Sequence, residues 1–109
     1  MSAFTLPEPI AAYFEADTQG PDDVARCFTA QGIVKDNGQT HTGRDAIKAW
    51  KTESSTLYTY TNDPFSLALV DGVHVVCSHT VGTFPGSPID LKLHFRLERG
   101  LIVSLEITL

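Results

Sequence analysis

No apolar run in the 109 residues approaches the roughly 20 that a helix needs to cross a bilayer, so a membrane span is not expected. The opening MSAFTLPEPI lacks a basic stretch followed by an apolar stretch and a small-residue cleavage site, which leaves the cytoplasm as the expected compartment. Basic residues are few and scattered, eight Lys and Arg against thirteen Asp and Glu, for a net charge of −5. A nucleic-acid binder needs clustered cations to neutralise several phosphates, so nucleic acid is not an expected partner. Only two cysteines occur, Cys27 and Cys77, far apart and each in apolar surroundings. They cannot build a disulfide framework or a two-pair zinc site, and both read as buried thiols. No two histidines and a carboxylate have metal-ligating spacing, and neither a Ser-His-Asp order nor a glycine-rich phosphate loop occurs. No metal and no cofactor are expected.

What is present suffices for one domain, residues 1–109, with 42% hydrophobic residues and room for a single core and one pocket. Pro7 and Pro9 suit a helix start, and Ile10, Tyr13, Phe14 and Asp17 then share one helical face. Gly20 and Pro21 break to a second helix, with Asp22 and Asp23 at its positive end and an apolar stripe of Val24, Cys27 and Phe28. A cap near Thr42 and Gly43 begins a third, through Ala46, Ile47 and Trp50, with Arg44, Asp45, Lys48 and Lys51 on its exposed side. Glu53, Ser54 and Ser55 are expected to end it.

Between the second and third helices, residues 33–36 read as a short strand, Asn37-Gly38 as a turn and residues 39–42 as the return. Asp36 sits where that strand ends, a place from which a carboxylate can point into a cavity. The plainer reading is that it starts an Asp-Asn-Gly turn. From Thr56 onward the period changes to that of strands: residues 57–61, 65–70 and 73–84 are candidates, with Asp71-Gly72 as a hairpin turn. Leu91, Leu93, Phe95 and Leu97 then alternate with Lys92, His94, Arg96 and Glu98, the latter set outward. In the last strand Leu101, Val103, Leu105, Ile107 and Leu109 make an apolar face. Ile102, Ser104, Glu106 and Thr108 fall on the other, where Ile102 could join a dimer surface. Helices first and a meander afterwards is an α+β plan, with the helices on one face of the sheet.

In that order, AAYFEADTQGPDDVARCF, FTAQGIVKDNGQTHTGRDAIKAW and LKLHFRLERGLI resemble the nuclear-transport-factor-two-like superfamily, and within it the SnoaL-like polyketide cyclase and ketosteroid isomerase branch. The resemblance implies a cone-shaped α+β fold, three N-terminal helices packed on a strongly curved mixed or antiparallel sheet, commonly a homodimer. It also implies an apolar pocket for a small hydrophobic molecule. Asp36 matches the isomerases' general base, and Tyr13 the phenol that donates a hydrogen bond to the developing enolate oxygen. Leu93 stands where those isomerases place a protonated acid, so half of their oxyanion hole is missing and steroid isomerase activity itself is not expected.

Phe14, Phe28, Trp50, Leu93 and Phe95 are the candidate pocket walls. His79 shares parity with Val73, Val75, Cys77 and Val81, which suggests that it points inward as a further acid or base. Arg44-Asp45 reads as a solvated pair at a helix start. Two readings follow: a cofactor-independent isomerase or cyclase using Asp36 and Tyr13, or a non-catalytic ligand-binding or dimerisation module of the same fold.

Overall fold

Residues 5–109 are described by the structure, a computed structural model; residues 1–4, part of the stretch read for a leader, lie outside the described residues. Helix α1 (Glu8–Asp17) begins after Pro7 with Pro9 in its first turn, where a missing N–H costs nothing, and buries Ile10, Tyr13 and Ala16. Helix α2 (Pro21–Arg26) is shorter than its stripe suggests, because Cys27 caps it and Phe28 opens strand β1 (Phe28–Asp36). The strand wins there through long-range pairing: the Cys27 carbonyl accepts the Ile102 N–H at 2.9 Å, and Phe28 lies opposite Ile102 in the last strand. Neither cysteine is fully buried; Cys27 donates to the Asp23 carbonyl at 3.4 Å, and burial and Asp23 push its thiol up.

Strand β2 (Gln39–Thr42) returns from the Asn37-Gly38 turn as expected, and helix α3 (Arg44–Leu57) runs past the Glu53-Ser54-Ser55 stop. The Thr52 and Ser54 hydroxyls bond back to the Lys48 and Trp50 carbonyls at 2.8 and 2.9 Å, so these residues are accommodated within the helix. Strands β3 (Tyr60–Val70), β4 (Val73–Gly82), β5 (Ile89–Glu98) and β6 (Leu101–Thr108) complete a six-stranded sheet in the order β2-β1-β6-β5-β4-β3. All neighbours are antiparallel except β1 and β6, so the sheet is mixed. Among the described residues no helix is long and apolar enough to cross a membrane.

Irregularities in three strand pairs bend the sheet around the helices and reset which side chains face them. Two strands were expected where β3 is one, because Pro64 lies on a sheet edge, where a proline is tolerated, and Phe65 bulges between Pro64 and Ser66. In β6 the partners of Arg96 and Leu97 are Ser104 and Ile102, so Val103 is the extra residue. That bulge turns Ile102 inward, correcting its expected place on the outer face: it is fully buried beside Phe28, Phe95, Ile10, Ile47 and Leu105. Ile102→Ala is therefore expected to lower unfolding free energy by about 2–5 kcal/mol in urea denaturation. A change below about 0.5 kcal/mol would return Ile102 to the surface.

Candidate functional site

Asn37 and Gly38 have φ of 54° and 77°, the two left-handed residues of a tight hairpin turn, and Asp36 pairs with Gln39 across it. The turn reading of Asp36 is thus correct for its backbone. Its side chain follows the inward series of buried Gly32 and Val34, and reaches a cavity of about 570 Å³. There the Trp50 indole N–H donates to Asp36 Oδ2 at 3.0 Å. One carboxylate oxygen is held by a neutral donor from α3, which fixes the plane in which the other lies.

Tyr13 opens on the same cavity from α1, although it is only 2% exposed. Its ring is gripped edge-on by Phe14, Phe28 and Phe95, at centroid distances of 5.5, 6.3 and 5.5 Å. Burial raises its pKa well above the ordinary 10.0, and the charges of Asp17, Tyr60 and Asp36 add smaller pushes in the same direction. The phenol therefore stays protonated and can only give its hydrogen to an acceptor, not take up a negative charge, at any ordinary pH.

The wall between these two residues holds a polar network that the sequence reading missed. Lys51, expected on the exposed side of α3, is 3% exposed. Its ammonium pairs with Asp17 of α1 and donates to the Tyr60 hydroxyl of β3. It also lies 4.8 Å from the Tyr60 ring centroid and 5.5 Å from that of Trp50. Asn62 donates to Asp17 Oδ2 at 2.8 Å, and Thr80 donates to Asn62 Oδ1 at 2.7 Å; both also line the cavity. A signal for this existed: Ile47, Trp50, Lys51 and Ser54 have the spacing of one helix face, and Asp17 lies on the inward stripe of α1.

Of the expected walls, Trp50 and Leu93 line the cavity, while Phe14, Phe28 and Phe95 do not. Those three pack against the Tyr13 ring instead. His79 does not face the cavity either. Register sets the inward series of β4 as Val76, Ser78 and Thr80, with Val76 opposite Leu93 and Ser78 opposite Leu91. His79 consequently lies on the outer face, exposed, its Nδ1 2.7 Å from Asp90 Oδ1. Arg44 is not paired with Asp45; its Nε and Nη2 donate to the Phe28 carbonyl at 3.0 and 2.7 Å, tying α3 to the start of β1. Among the described residues no cluster of three His, Cys, Asp or Glu side chains could hold a metal.

Such a cavity falls within the roughly 300–1,000 Å³ usual for small-molecule sites, with Leu91, Leu93, Ile107 and Phe84 as apolar lining. No family model and no curated protein matches the sequence. Solved structures match nearly its whole length. A candidate polyketide cyclase from Sinorhizobium meliloti is 31% identical, with a TM-score of 0.89 over 94% of this chain and 95% of its own. A Catenulispora acidiphila protein with a ketosteroid isomerase-like fold, solved with trimethylamine, is 22% identical, with a TM-score of 0.84 over 96% and 87%. A candidate polyketide cyclase from Silicibacter is 20% identical, with a TM-score of 0.77 over 92% and 85%. The last two likenesses are of fold alone.

The buried phenol makes stability depend on alkaline pH. Between the ordinary tyrosine pKa of 10.0 and the higher folded value, the unfolded chain has lost a proton that the folded chain keeps. Stability is thus intact below pH about 10 and falls above it, by at most about 1.4 kcal/mol per pH unit from this group. Urea denaturation across that range should show a shallower alkaline decline in Tyr13→Phe than in the wild type. Equal slopes would mean the hydroxyl is solvated.

Proposed function

The chain belongs to the nuclear-transport-factor-two-like superfamily, in its SnoaL-like polyketide cyclase and ketosteroid isomerase branch, and on that footing we propose that it is a cofactor-independent isomerase or cyclase of a small hydrophobic carbonyl compound. Support comes chiefly from one observation: Asp36, oriented by Trp50, and Tyr13, kept protonated by burial, open on a single apolar cavity.

In this reading Asp36 takes a proton from a carbon next to the carbonyl, and the electron pair of the broken C–H bond moves onto the carbonyl oxygen. Tyr13 donates its hydrogen bond to that oxygen as the negative charge develops, so its contribution is larger in the transition state than in the bound substrate. Two completions balance. Where the substrate carries a β,γ double bond, the enolate is a dienolate and Asp36 returns the proton to its γ carbon, shifting the double bond to the α,β position, which is an isomerisation. Otherwise the enolate carbon attacks a second carbonyl of the same molecule, and the resulting alkoxide takes the proton from Asp36, which closes a ring. Neither route changes oxidation state, so neither calls for a redox cofactor.

Leu93 favours the second reading, a ligand-binding module, because it lines the cavity with an apolar side chain where the isomerases carry a second oxyanion donor. Exchange of α-protons in heavy water, followed by NMR over a panel of hydrophobic β-diketones and cyclic enones, separates the two. Asp36→Asn is expected to slow exchange by roughly 10²–10⁴-fold while leaving binding in place. Tyr13→Phe is expected to slow it by about 10²-fold. Compounds that bind without enzyme-promoted exchange, or exchange that survives Asp36→Asn, would establish the binding module instead.

A further inference from the structure

We propose that Lys51, with Tyr60, supplies the oxyanion-stabilising donors that Leu93 cannot, so that the substrate is one whose enolate oxygen lies against the Lys51–Tyr60 wall of the cavity. A β-dicarbonyl compound is the chemical class that fits, since its enolate spreads charge over two oxygens, one for Tyr13 and one for Lys51. This rests on the base-and-phenol reading above.

An ammonium has three N–H groups to place. Asp17 and the Tyr60 hydroxyl take two, and among the described residues no other acceptor is bonded to it. The third is available to a ligand, because Lys51 lines the cavity while Asp17 stands behind the wall. Tyr60 lines it too, and since its oxygen accepts from Lys51, its own hydrogen is left to donate. Asn62, itself held by Thr80, donates to Asp17, so the carboxylate that holds the ammonium is fixed in turn. Tyr13 lines the same cavity as Lys51 and Tyr60.

Charge balance points the same way. Asp17 cancels the charge of Lys51, which leaves Asp36 as the uncompensated charge of the cavity. When Asp36 takes a proton, that charge moves to the substrate oxygen, and an N–H of a cation meets it there with a charge-assisted hydrogen bond. A role limited to tying α1 to α3 does not need ions, because a buried pair is often no more stabilising than apolar residues of similar volume.

The test uses 2-naphthol, whose ionised form mimics an enolate and differs in absorption from the neutral form, with naphthalene as the uncharged control. Wild type is expected to bind naphthol as naphtholate at a pH where the free compound is neutral. Lys51→Met should weaken naphtholate binding by roughly 10- to 100-fold with little effect on naphthalene. That variant leaves Asp17 unpaired, so the double variant Asp17→Asn/Lys51→Met, which removes both charges, is measured beside it and is expected to show the same loss. Binding of naphthalene reports that each variant is folded. In the wild type, the ¹⁵N–¹H signal of the Lys51 ammonium should move with naphthol and not with naphthalene.

Naphtholate binding that survives in a folded Lys51 variant, or an ammonium signal that ignores naphthol, overturns the inference. If Tyr13→Phe weakens naphtholate binding in that case, the base-and-phenol reading stands without Lys51. If the Lys51 variants lose binding and Tyr13→Phe does not, Lys51 is the oxyanion donor and the role given to Tyr13 falls.

Discussion

Asp17 and Lys51 each sit on the inward stripe of a helix, and neither can be buried without the other. A lone carboxylate or ammonium there would carry the full cost of leaving water, and breaking such a pair typically costs about 3–5 kcal/mol. Their contact therefore fixes α1 against α3 and, through Tyr60 and Asn62, both helices against β3. The candidate site is built within a turn of this pair. Tyr13 precedes Asp17 by one helical turn, and Trp50 precedes Lys51 by one residue. Trp50 in turn holds Asp36. A shift of α1 along α3 would separate the phenol from the carboxylate even with every core residue unchanged.

The remainder of the core divides the cone into two parts. Phe14, Phe28 and Phe95 close one end and hold the Tyr13 ring edge-on, while Leu91, Leu93 and Ile107 leave the other end hollow. The Tyr13 ring belongs to the packed half and the cavity lies against it. In the proposed mechanism such packing would preorganise Tyr13 as a donor, because its ring has little room to turn.

Much of the plan was legible because it rests on short-range patterns. The alternation in β5, the Asn37-Gly38 hairpin and the proline-started α1 all follow from local spacing, and the family resemblance joined them into an α+β cone. Long-range register was not legible. His79 was assigned by parity with Val73, Val75, Cys77 and Val81, but those residues lie on the outer face, and an apolar outer face defeats the rule that apolar means inward. Ile102 failed for a different reason, since one extra residue, Val103, reverses parity midway through β6. Phe28 belonged to a helical stripe in sequence and to a strand in space, because its partner Ile102 is far away along the chain. Lys51 was misplaced by its charge although its spacing was inward, which shows that periodicity should outrank polarity when an opposite charge lies on another inward stripe.

The division of labour between Asp17 and Asp36 follows from what each one faces. Asp36 and Lys51 open on one cavity, where Asp36 is held by the indole of Trp50 and Lys51 is committed to Asp17. The indole fixes the direction of Asp36 without cancelling its charge. Asp17 holds the ammonium, and Asn62, held by Thr80, holds Asp17 in turn. If Asp36 is to accept a proton and Lys51 to meet an oxyanion, as proposed, a second carboxylate has to keep the two apart. In this fold that is the role of Asp17, a residue that does not itself line the cavity.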